Sequence, residues 1–534
     1  MGNTISYNTK ETVIDLGPKG KIKGLQYDDK AVRYAGVPYA LPPTGEHRWR
    51  KPRPLPPSYA YSGSEGSYDA TSFRPPCAQG AQVHGAAPKS GSEDCLIVNI
   101  WTPVKKPEDP NKKWPVMIWI HGGWFQIGNP SQDIDMDPTE LVGTSGLDAI
   151  FVAVGYRLNI FGFLATQALA DENGGEAAGN FGLWDQRIAI EWVYENIGSF
   201  GGDVNNITLS GRSAGAYSVE AQTLYEFRKK NKDGPAEHFH RIFMTSNAIP
   251  AQPKTITETE GQFDEVCQYL GIDLGLSGTE RLAKLRQVSQ ETLLAAIPKL
   301  NNHTFRPVTD DVFFHSGMVE YLRDGGFAAE FKKRGMKLLI GEVLNEDKLY
   351  AQFNAPKQGN IEALRLQTSN YYAPATTDRV IEQYKLPEGT DLDEWKAVFG
   401  NIIADGQVRA PGRFFVDNLH KHGVSVSDIW RYQIGYRLSF IPEKLAPLSY
   451  GVTHAMDKSY WNYSIHHGPT AEEKAMMSEW IGNLVAFVQN DKEFDFGTRQ
   501  IEQHKIVSPD MKIEVVTDGG FKELSALGSD FAQG

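Results

Sequence analysis

The sequence predicts an α/β fold in which a large, mostly parallel central sheet is flanked by helices on both sides. Short apolar runs alternate with segments of helical periodicity along the 534 residues. Several of these runs are continuously apolar, which is typical of parallel strands buried on both faces. The N-terminal segment instead indicates antiparallel strands at one edge of the sheet. Together these observations favour one layered domain over a string of small ones.

Six apolar runs are predicted to be the main strands of the sheet. Each is rich in β-branched or aromatic residues and is bounded by glycine or polar residues. They cover 114–123, 149–157, 205–211, 240–247, 336–343 and 427–436. Helices are predicted at 180–200 and 472–489, where apolar residues recur at helical spacing.

The region from about 250 to 335 is helix-rich and carries fewer strand signals. We expect it to form a cap-like insertion within a single catalytic domain that spans 1–534. Neither repeats nor a low-complexity linker divide the chain.

The composition excludes some classes of function. The chain is 40% hydrophobic and 22% charged, as in soluble globular proteins. Its formal net charge of −12 argues against a nucleic-acid partner. No run of about 18 apolar residues predicts a membrane span. Gly2 and Ser6 fit the myristoylation pattern, but a soluble N-terminus explains them equally well and one acyl chain anchors weakly. We therefore expect no stable membrane insertion.

The expected compartment is the cytoplasm, because the first residues lack the apolar segment of a secretory signal. Removal of a signal peptide would make the protein a secreted one instead. Three cysteines are too few for a disulfide framework. The sequence does not indicate an oligomeric state.

A candidate nucleophile lies in the pattern G-x-S-x-G at 211–215. The predicted strand before it and the helix-like segment after it give a strand–turn–helix unit. Small residues around Ser213 allow the sharp turn and leave the hydroxyl exposed above the sheet edge. These features predict that Ser213 is a nucleophile rather than an ordinary loop serine.

A serine nucleophile needs a base and a carboxylate that orients the base. In α/β-hydrolases both follow the serine along the chain, the acid first. Glu342, Glu346 and Asp347 all lie at or just past the end of one predicted strand, and spacing does not choose among them. His454, in a glycine-containing loop, is one candidate base among ten downstream histidines.

Backbone donors for a developing oxyanion are expected after another strand. Residues 121–124, His-Gly-Gly-Trp, lie at the glycine-rich end of the strand predicted at 114–123 and supply such N–H groups, together with Ala214. This chemistry requires no metal and no cofactor, and we expect none.

Several stretches, in order, resemble the type-B carboxylesterase and cholinesterase-like family of α/β-hydrolases. The resemblance is dense from about 19 to 215, thins through 216–335, and returns around 336–347 and 451–457. The stretches that carry it are YAGVPYALPPTGEHRWRKP (34–52), SEDCLIVNIW (92–101), GYRLNIFGFL (155–164) and GNFGLWDQRIAIEWVYENIGSFGGDVNNITLSGRSAG (179–215).

The resemblance implies roles for individual residues. The implied nucleophile, acid and base are Ser213, Glu346 and His454. The implied oxyanion donors are the N–H groups of Gly123, Trp124 and Ala214. Ser246 would be a further hydroxyl near the triad, and Cys77 and Cys95 match the family's first disulfide. Cys267 has no obvious partner.

Three departures from the family pattern bear on the site. Arg212 replaces the usual glutamate before the nucleophile, which weakens the case for a cationic substrate. Trp124 replaces the third glycine of the oxyanion loop, and its N–H is expected to serve if its φ is negative. Asn345 and Asp347 flank Glu346 where aspartate and glycine are usual.

Within the family, the sequence favours a general carboxylesterase that acts on a small, soluble, moderately hydrophobic ester through an acyl-enzyme. Trp124, Phe125 and Tyr217 are predicted to line the substrate pocket. The loop at 78–94 has no aromatic residue and one large aliphatic one, which argues against a cholinesterase or a lipase. The complete triad argues against an inactive binding module. An acyltransferase or lactone-forming enzyme with the same triad remains the alternative.

Overall fold

The protein is built around one large β-sheet with helices on both faces, as the sequence predicts. The computed structural model describes residues 6–80, 91–104, 111–131, 137–229 and 237–533. The strands, in chain order, are β1 (Thr9–Asp15), β2 (Lys21–Tyr27), β3 (Ala31–Pro38), β4 (Ala40–Leu41), β5 (Arg53–Pro54), β6 (Tyr68–Asp69), β7 (Ile97–Pro103), β8 (Trp114–Ile120), β9 (Ile150–Val154), β10 (Gly202–Arg212), β11 (Arg241–Thr245), β12 (Lys337–Val343), β13 (Ile429–Ile434), β14 (Gln503–Val507) and β15 (Ile513–Thr517).

Within the described residues the main sheet has the strand order β1-β2-β3-β7-β9-β8-β10-β11-β12-β13-β14-β15, and β6 pairs with β2. Neighbours from β9 through to β14 are parallel, whereas β1, β2, β3 and β7 pair antiparallel, as do β14 and β15. β4 and β5 form a separate pair. The predicted fold class, with antiparallel strands at the N-terminal edge, is confirmed.

The six predicted strands correspond to β8 to β13. β8, β9 and β11 are buried along their whole length, because helices cover both faces of the sheet there. Two hydrophobic clusters lie on the sheet. One includes Val116, Ile118 and Leu209, and the other includes Met117 and Trp119, so successive residues of β8 point to opposite faces.

The helices are α1 (Thr139–Gly143), α2 (Asn159–Phe163), α3 (Gln167–Glu172), α4 (Phe181–Asn196), α5 (Ala214–Arg228), α6 (Ile256–Tyr269), α7 (Gly278–Arg286), α8 (Gln290–Ala296), α9 (Met318–Arg323), α10 (Gly326–Lys333), α11 (Asp347–Tyr350), α12 (Ile361–Ser369), α13 (Pro374–Ile381), α14 (Leu392–Ala404), α15 (Ala410–Lys421), α16 (Lys458–Trp461), α17 (Ala471–Gln489) and α18 (Phe521–Phe531). A π-helical turn, Asp405–Arg409, joins α14 to α15. α4 and α17 are the two helices expected from periodicity. A capping box between Thr470 and Glu473 begins α17.

The region from 250 to 335 contains α6 to α10, and its β-pairing is one isolated bridge between Thr255 and Thr309. Its helical content agrees with the sequence. Whether it acts as a cap within a single catalytic domain stays a prediction.

Cys77 and Cys95 are joined in a disulfide with a Cα–Cα distance of 5.0 Å, and Cys267 is a buried free thiol. Most of the loop between the bridged cysteines, and Gly2, lie outside the described residues. No helix in the described ranges is long and apolar enough to cross a membrane.

Candidate active site

Ser213 lies on the turn between β10 and α5, with φ 55° and ψ −124°. Its N–H donates to the carbonyl of Thr245 on β11 at 2.8 Å, which fixes the turn to the sheet. Side chains at Gly211 or Gly215 would clash with backbone atoms, of Gly215 and Ile120 respectively. The glycines of the G-x-S-x-G pattern are thus required by packing around Ser213.

Glu346 and His454 form a buried hydrogen-bonded pair. Glu346 follows β12, and its Oε2 accepts a hydrogen bond from His454 Nδ1 at 2.5 Å. The other carboxylate oxygen accepts the N–H of Val343 at 3.0 Å. Both side chains are almost fully buried. The pairing leaves Nε2 of His454 as the ring nitrogen available for other partners.

The two other candidate carboxylates have different partners. Glu342 is bound by Arg413 through two hydrogen bonds, of 2.9 and 2.8 Å. Asp347 accepts a hydrogen bond from Arg409 at 2.7 Å. The structure therefore brings only Glu346, of the three, to His454.

Asn345 connects the loop of Glu346 to the loop of His454. Its N–H donates to the Val452 carbonyl at 2.9 Å, and its side-chain oxygen accepts the N–H of Val452 at 3.1 Å. Gly451 has φ 57°, and a Cβ there would overlap Asn345 Oδ1. Asn345 thus links the two loops. Asp347 lies at the start of α11, and an acidic side chain is tolerated in the first turn of a helix.

Tyr350, at the end of α11, touches both Ser213 and His454. Its hydroxyl hydrogen-bonds Ser213 and lies 3.5 Å from Nδ1 of His454. Burial raises the pKa of Tyr350 well above its ordinary value, so the phenol stays protonated. Sequence reasoning missed this residue, although an aromatic residue one helical turn after Glu346 was a usable signal.

The loop after β8 presents backbone N–H groups beside Ser213. Those of Gly123, Trp124 and Ala214 have no acceptor within the described part of the chain. The condition set for the Trp124 donor, a negative φ, is not met: φ is 57° at Trp124 and 113° at Gly123. The left-handed conformation extends to Phe125, whose carbonyl accepts the N–H of Asn159 at 2.7 Å.

His121 supports this loop as a neutral side chain. Its ring stacks on Tyr156 at 4.4 Å, and its Nδ1 lies 2.9 Å from the Gly122 carbonyl. Burial lowers the pKa of His121 to about 4, with the charge of Arg212 a smaller cause. The imidazole is therefore uncharged at neutral pH.

A cleft of about 210 Å³ opens beside the serine. Its lining residues are Trp124, Ser213, Ala214, Asn247, Arg306, Tyr350, Tyr371 and Gln407. The indole of Trp124 lies 5.6 Å from the ring of Phe353 and forms one wall of the cleft.

The two other predicted pocket residues lie elsewhere. Phe125 is fully buried against Phe163 and Tyr217, because the left-handed turn directs it into the core, so it exposes no surface to a substrate. Tyr217 lines a neighbouring cleft of about 540 Å³. Ser246 is fully buried at the end of β11, with φ 52° and a hydroxyl that has no partner among the described residues.

Arg212 lies near the buried carboxyl of Asp457, three residues after His454. Burial raises the pKa of Asp457, and the positive charge of Arg212 opposes that rise. Tyr432 donates to Asp457 at 2.8 Å. The basic side chain that replaces an acidic one before the nucleophile thus acts on a buried carboxyl group next to the loop of His454.

No group of three or more His, Cys, Asp or Glu side chains in the described ranges is placed to hold a metal ion.

Comparisons with known proteins agree with this architecture. The model of the carboxylesterase family matches residues 10–511. An uncharacterized esterase/lipase of Schizosaccharomyces pombe is 37% identical, over 96% of this chain and 95% of that protein. A carboxylic ester hydrolase of Gibberella moniliformis is 35% identical, over 97% and 96%.

A solved structure of a PNB esterase superposes with a TM-score of 0.74 at 24% identity, covering 97% of this chain and all of that one. This similarity shows the α/β-hydrolase fold. The family match and the two full-length relatives show in addition that the chain is an enzyme of the carboxylesterase family.

Proposed function

We propose that the protein hydrolyses small esters through an acyl-enzyme on Ser213, with His454 as general base and Glu346 as the acid that orients it. The observation that carries this proposal is the buried Glu346–His454 hydrogen bond of 2.5 Å beside a serine on a strand-to-helix turn. Ser213 and His454 also share a neighbour, the hydroxyl of Tyr350.

In the first half-reaction, Ser213 Oγ attacks the ester carbonyl while His454 Nε2 takes the hydroxyl proton. Glu346, held by the Val343 N–H, fixes the imidazole orientation and stabilises the imidazolium. His454 then gives the proton to the leaving alcohol. Water, deprotonated by His454, attacks the acyl-serine; as the bond to Oγ breaks and the acid leaves, the imidazolium returns the proton to Ser213 Oγ.

The tetrahedral oxyanion would be held by the N–H groups of Gly123, Trp124 and Ala214. We retain Trp124 despite its positive φ because its N–H, like the other two, has no acceptor among the described residues. Donors kept free for the transition state need no rearrangement when charge develops. One such donor typically lowers the barrier by about 3–4 kcal/mol.

The substrate we propose is a small, moderately hydrophobic ester. The cleft beside Ser213 has aromatic walls from Trp124, Tyr350 and Tyr371. These surfaces suit a short hydrophobic acyl or alcohol group. In the proposed scheme, His454 carries out each proton transfer.

The test combines kinetics and covalent labelling. Ser213→Ala is expected to lower kcat for a short 4-nitrophenyl ester by about 10⁴-fold or more. A fluorophosphonate should add to the peptide that contains Ser213, and mass spectrometry should find no adduct in the variant.

Ser210→Ala is the matched control. This serine lies three residues earlier on β10, and its hydroxyl donates to the Ile118 carbonyl at 2.6 Å. The control should keep both hydrolysis and labelling. Full activity of Ser213→Ala, or an adduct on another serine, would show that the nucleophile is assigned wrongly.

A further inference from the structure

Two cationic side chains line the space next to Ser213. Arg306 belongs to the cleft that contains the serine, and it also lines the neighbouring cleft of about 540 Å³. Lys254 lines that second cleft. Tyr371 and Gln407 are common to both clefts, so the two spaces adjoin along one wall.

Within the described part of the chain, the groups that bind Arg306 are neutral. Its guanidinium donates to Gln407 Oε1 at 3.0 Å and lies 5.1 Å from the ring centroid of Tyr371. The π-helical turn 405–409 carries Gln407, whose amide in turn donates to the Tyr372 hydroxyl at 3.0 Å. The orientation of Arg306 is therefore fixed by amide and aromatic groups, with its charge left uncompensated.

Lys254 shows the same pattern. Its ammonium donates to the Ser369 carbonyl at 2.6 Å. Burial, and then the nearby charge of Arg306, lower the pKa of Lys254 to about 8. The nearest acidic side chain, Glu258, is exposed and is bound by the backbone N–H and the hydroxyl of Thr255.

Buried arginines of this chain fall into two groups. Arg241 is bound by neutral oxygens, among them that of Thr208, whereas others are paired with carboxylates. Arg157 lies 2.7 Å from Asp185, and Arg413 lies 2.8 Å from Glu342. Among the described residues, no carboxylate comes within 4 Å of Arg306 or Lys254. Arg306 and Lys254 differ from Arg241 because they line clefts next to Ser213, where a ligand can supply the negative charge.

One further side chain agrees with an anionic ligand. Glu220, buried near Tyr217, has its pKa raised by burial to about 8, so it is mostly uncharged at neutral pH. Asn247 lines the cleft of Ser213, is 6% exposed, and has a side-chain oxygen without a partner in the described ranges. This oxygen is an acceptor, so it suits a hydrogen-bond donor of the ligand and not its carboxylate.

We infer that the preferred substrate is an ester that carries a carboxylate, which Arg306 and Lys254 bind while Ser213 attacks the ester carbonyl. This inference rests on the proposed function and narrows its substrate class. A planar guanidinium held in a fixed orientation suits a carboxylate, to which it donates two parallel hydrogen bonds. The positive cleft in a chain of net charge −12 also concentrates anions locally.

The experiment compares matched pairs of esters that differ in one charged end. Monoethyl adipate against ethyl hexanoate places the carboxylate in the acyl part. 6-Acetoxyhexanoate against hexyl acetate places it in the alcohol part. We expect kcat/KM for the charged ester to exceed that for its neutral partner by about tenfold or more in one pair, as for hydrogen bonds to charged groups. The pair that responds identifies which part of the substrate meets Arg306.

Variants test whether the two cations cause the preference. Arg306→Gln and Lys254→Gln should each lower the charged-to-neutral ratio of kcat/KM, the first by about tenfold. Arg306→Lys should keep part of the preference, because it retains the charge without the planar fork. Lys284→Gln on the exposed surface of α7 removes the same charge elsewhere and should leave the ratio unchanged.

The outcomes separate this inference from the proposed function. Hydrolysis of neutral esters that depends on Ser213, with no preference for the charged ester in either pair, overturns the inference and leaves the proposed function intact. Absence of all Ser213-dependent hydrolysis overturns both. If Arg306→Gln does not fold, Lys254→Gln and the salt dependence of the charged-to-neutral ratio of kcat/KM test the inference instead. Added salt should lower this ratio if the preference comes from charge.

Discussion

Several residues around the candidate site hold a backbone conformation that L-residues rarely adopt. Trp124, Ser213, Ser246 and Ala455 have φ values of 57°, 55°, 52° and 73°. Such positions cost about 1–3 kcal/mol each and persist only where packing over-determines them. Their concentration around Ser213 and His454 is typical of a site in which geometry is maintained at the expense of stability.

Tyr350→Phe tests whether the phenol positions Ser213 and His454. We expect kcat to fall by about three- to tenfold, the effect of one neutral hydrogen bond, with a smaller change in KM. Steady-state kinetics over a range of pH would check it, because a changed environment of His454 should also move the acidic limb of the kcat profile.

Tyr61→Phe is the control for Tyr350→Phe, since it removes another buried hydroxyl, one that donates to the Pro38 carbonyl at 2.8 Å. It should lower stability without changing the pH profile. An identical kcat in Tyr350→Phe and the wild type would contradict a positioning role.

Trp124 combines a side chain in the cleft with a strained backbone, and two variants separate these features. Trp124→Gly and Trp124→Ala should both raise kcat/KM for bulky esters relative to acetate esters. Glycine also relieves the left-handed conformation, so Trp124→Gly should be more stable than Trp124→Ala by about 1 kcal/mol. Unchanged ester selectivity in both variants would contradict the role of the indole in the cleft. Equal melting temperatures of the two variants would contradict the strain at this backbone position.

At the scale of elements, the sequence predicts strands and helices well where burial is uniform. β8, β9 and β11 are buried along their whole length, and β10, β12 and β13 contain shorter apolar runs that were also recognisable. β14 and β15 have mixed burial and gave no comparable signal. The strand–turn–helix unit around Ser213 followed from its small residues. Contacts between residues distant in the sequence could not be predicted. The choice of Glu346 as the partner of His454 is explained by the arginines that bind the other two carboxylates, Glu342 and Asp347.

We expect the stability of the protein to depend on pH through Glu220, which lies on α5, the helix that follows Ser213. Burial raises its pKa from 4.5 to about 8 in the folded protein, although it accepts the Ile249 N–H. The folded state then holds a proton that the unfolded state has lost, so this residue should lower stability as pH rises from about 4.5 to 8.

Glu220→Gln should therefore stabilise the protein above pH 8 by a few kcal/mol and have little effect near pH 4. Glutamine retains an oxygen for the Ile249 N–H, so the comparison isolates ionisation. Urea denaturation at several pH values would measure it, with Glu195→Gln on the exposed face of α4 as control. A parallel pH dependence of Glu220→Gln and the wild type would rule out a buried ionisable acid here.

At the scale of the whole molecule, the disulfide bears on the compartment. Cys77 and Cys95 are bonded, and the chain has three cysteines in all. Such bonds persist mainly in oxidising environments, whereas the sequence predicted the cytoplasm. The state of this bond in the cell therefore tests our proposal that the protein is cytoplasmic.

Thiol titration decides the question. Denatured, unreduced protein should titrate one thiol, Cys267, and three after reduction. Native Cys267 should react slowly, because burial raises its pKa to about 11. Replacing both bridged cysteines by serine should cost about 3 kcal/mol of stability. Three free thiols before reduction would favour a reducing compartment and contradict the bridge.

The hydrogen bonds of Asn345 with Val452 have a consequence for how such an enzyme diversifies. They hold the segments of Glu346 and His454 to each other without a contribution from Lys254 or Arg306. Under our proposals, the groups for reaction chemistry and the two cations for ligand choice therefore lie on separate segments. Exchange of the segments that carry Lys254 and Arg306 between relatives should change substrate selectivity and leave the Glu346–His454 pair in place. This scaffold is therefore a good starting point for recombination.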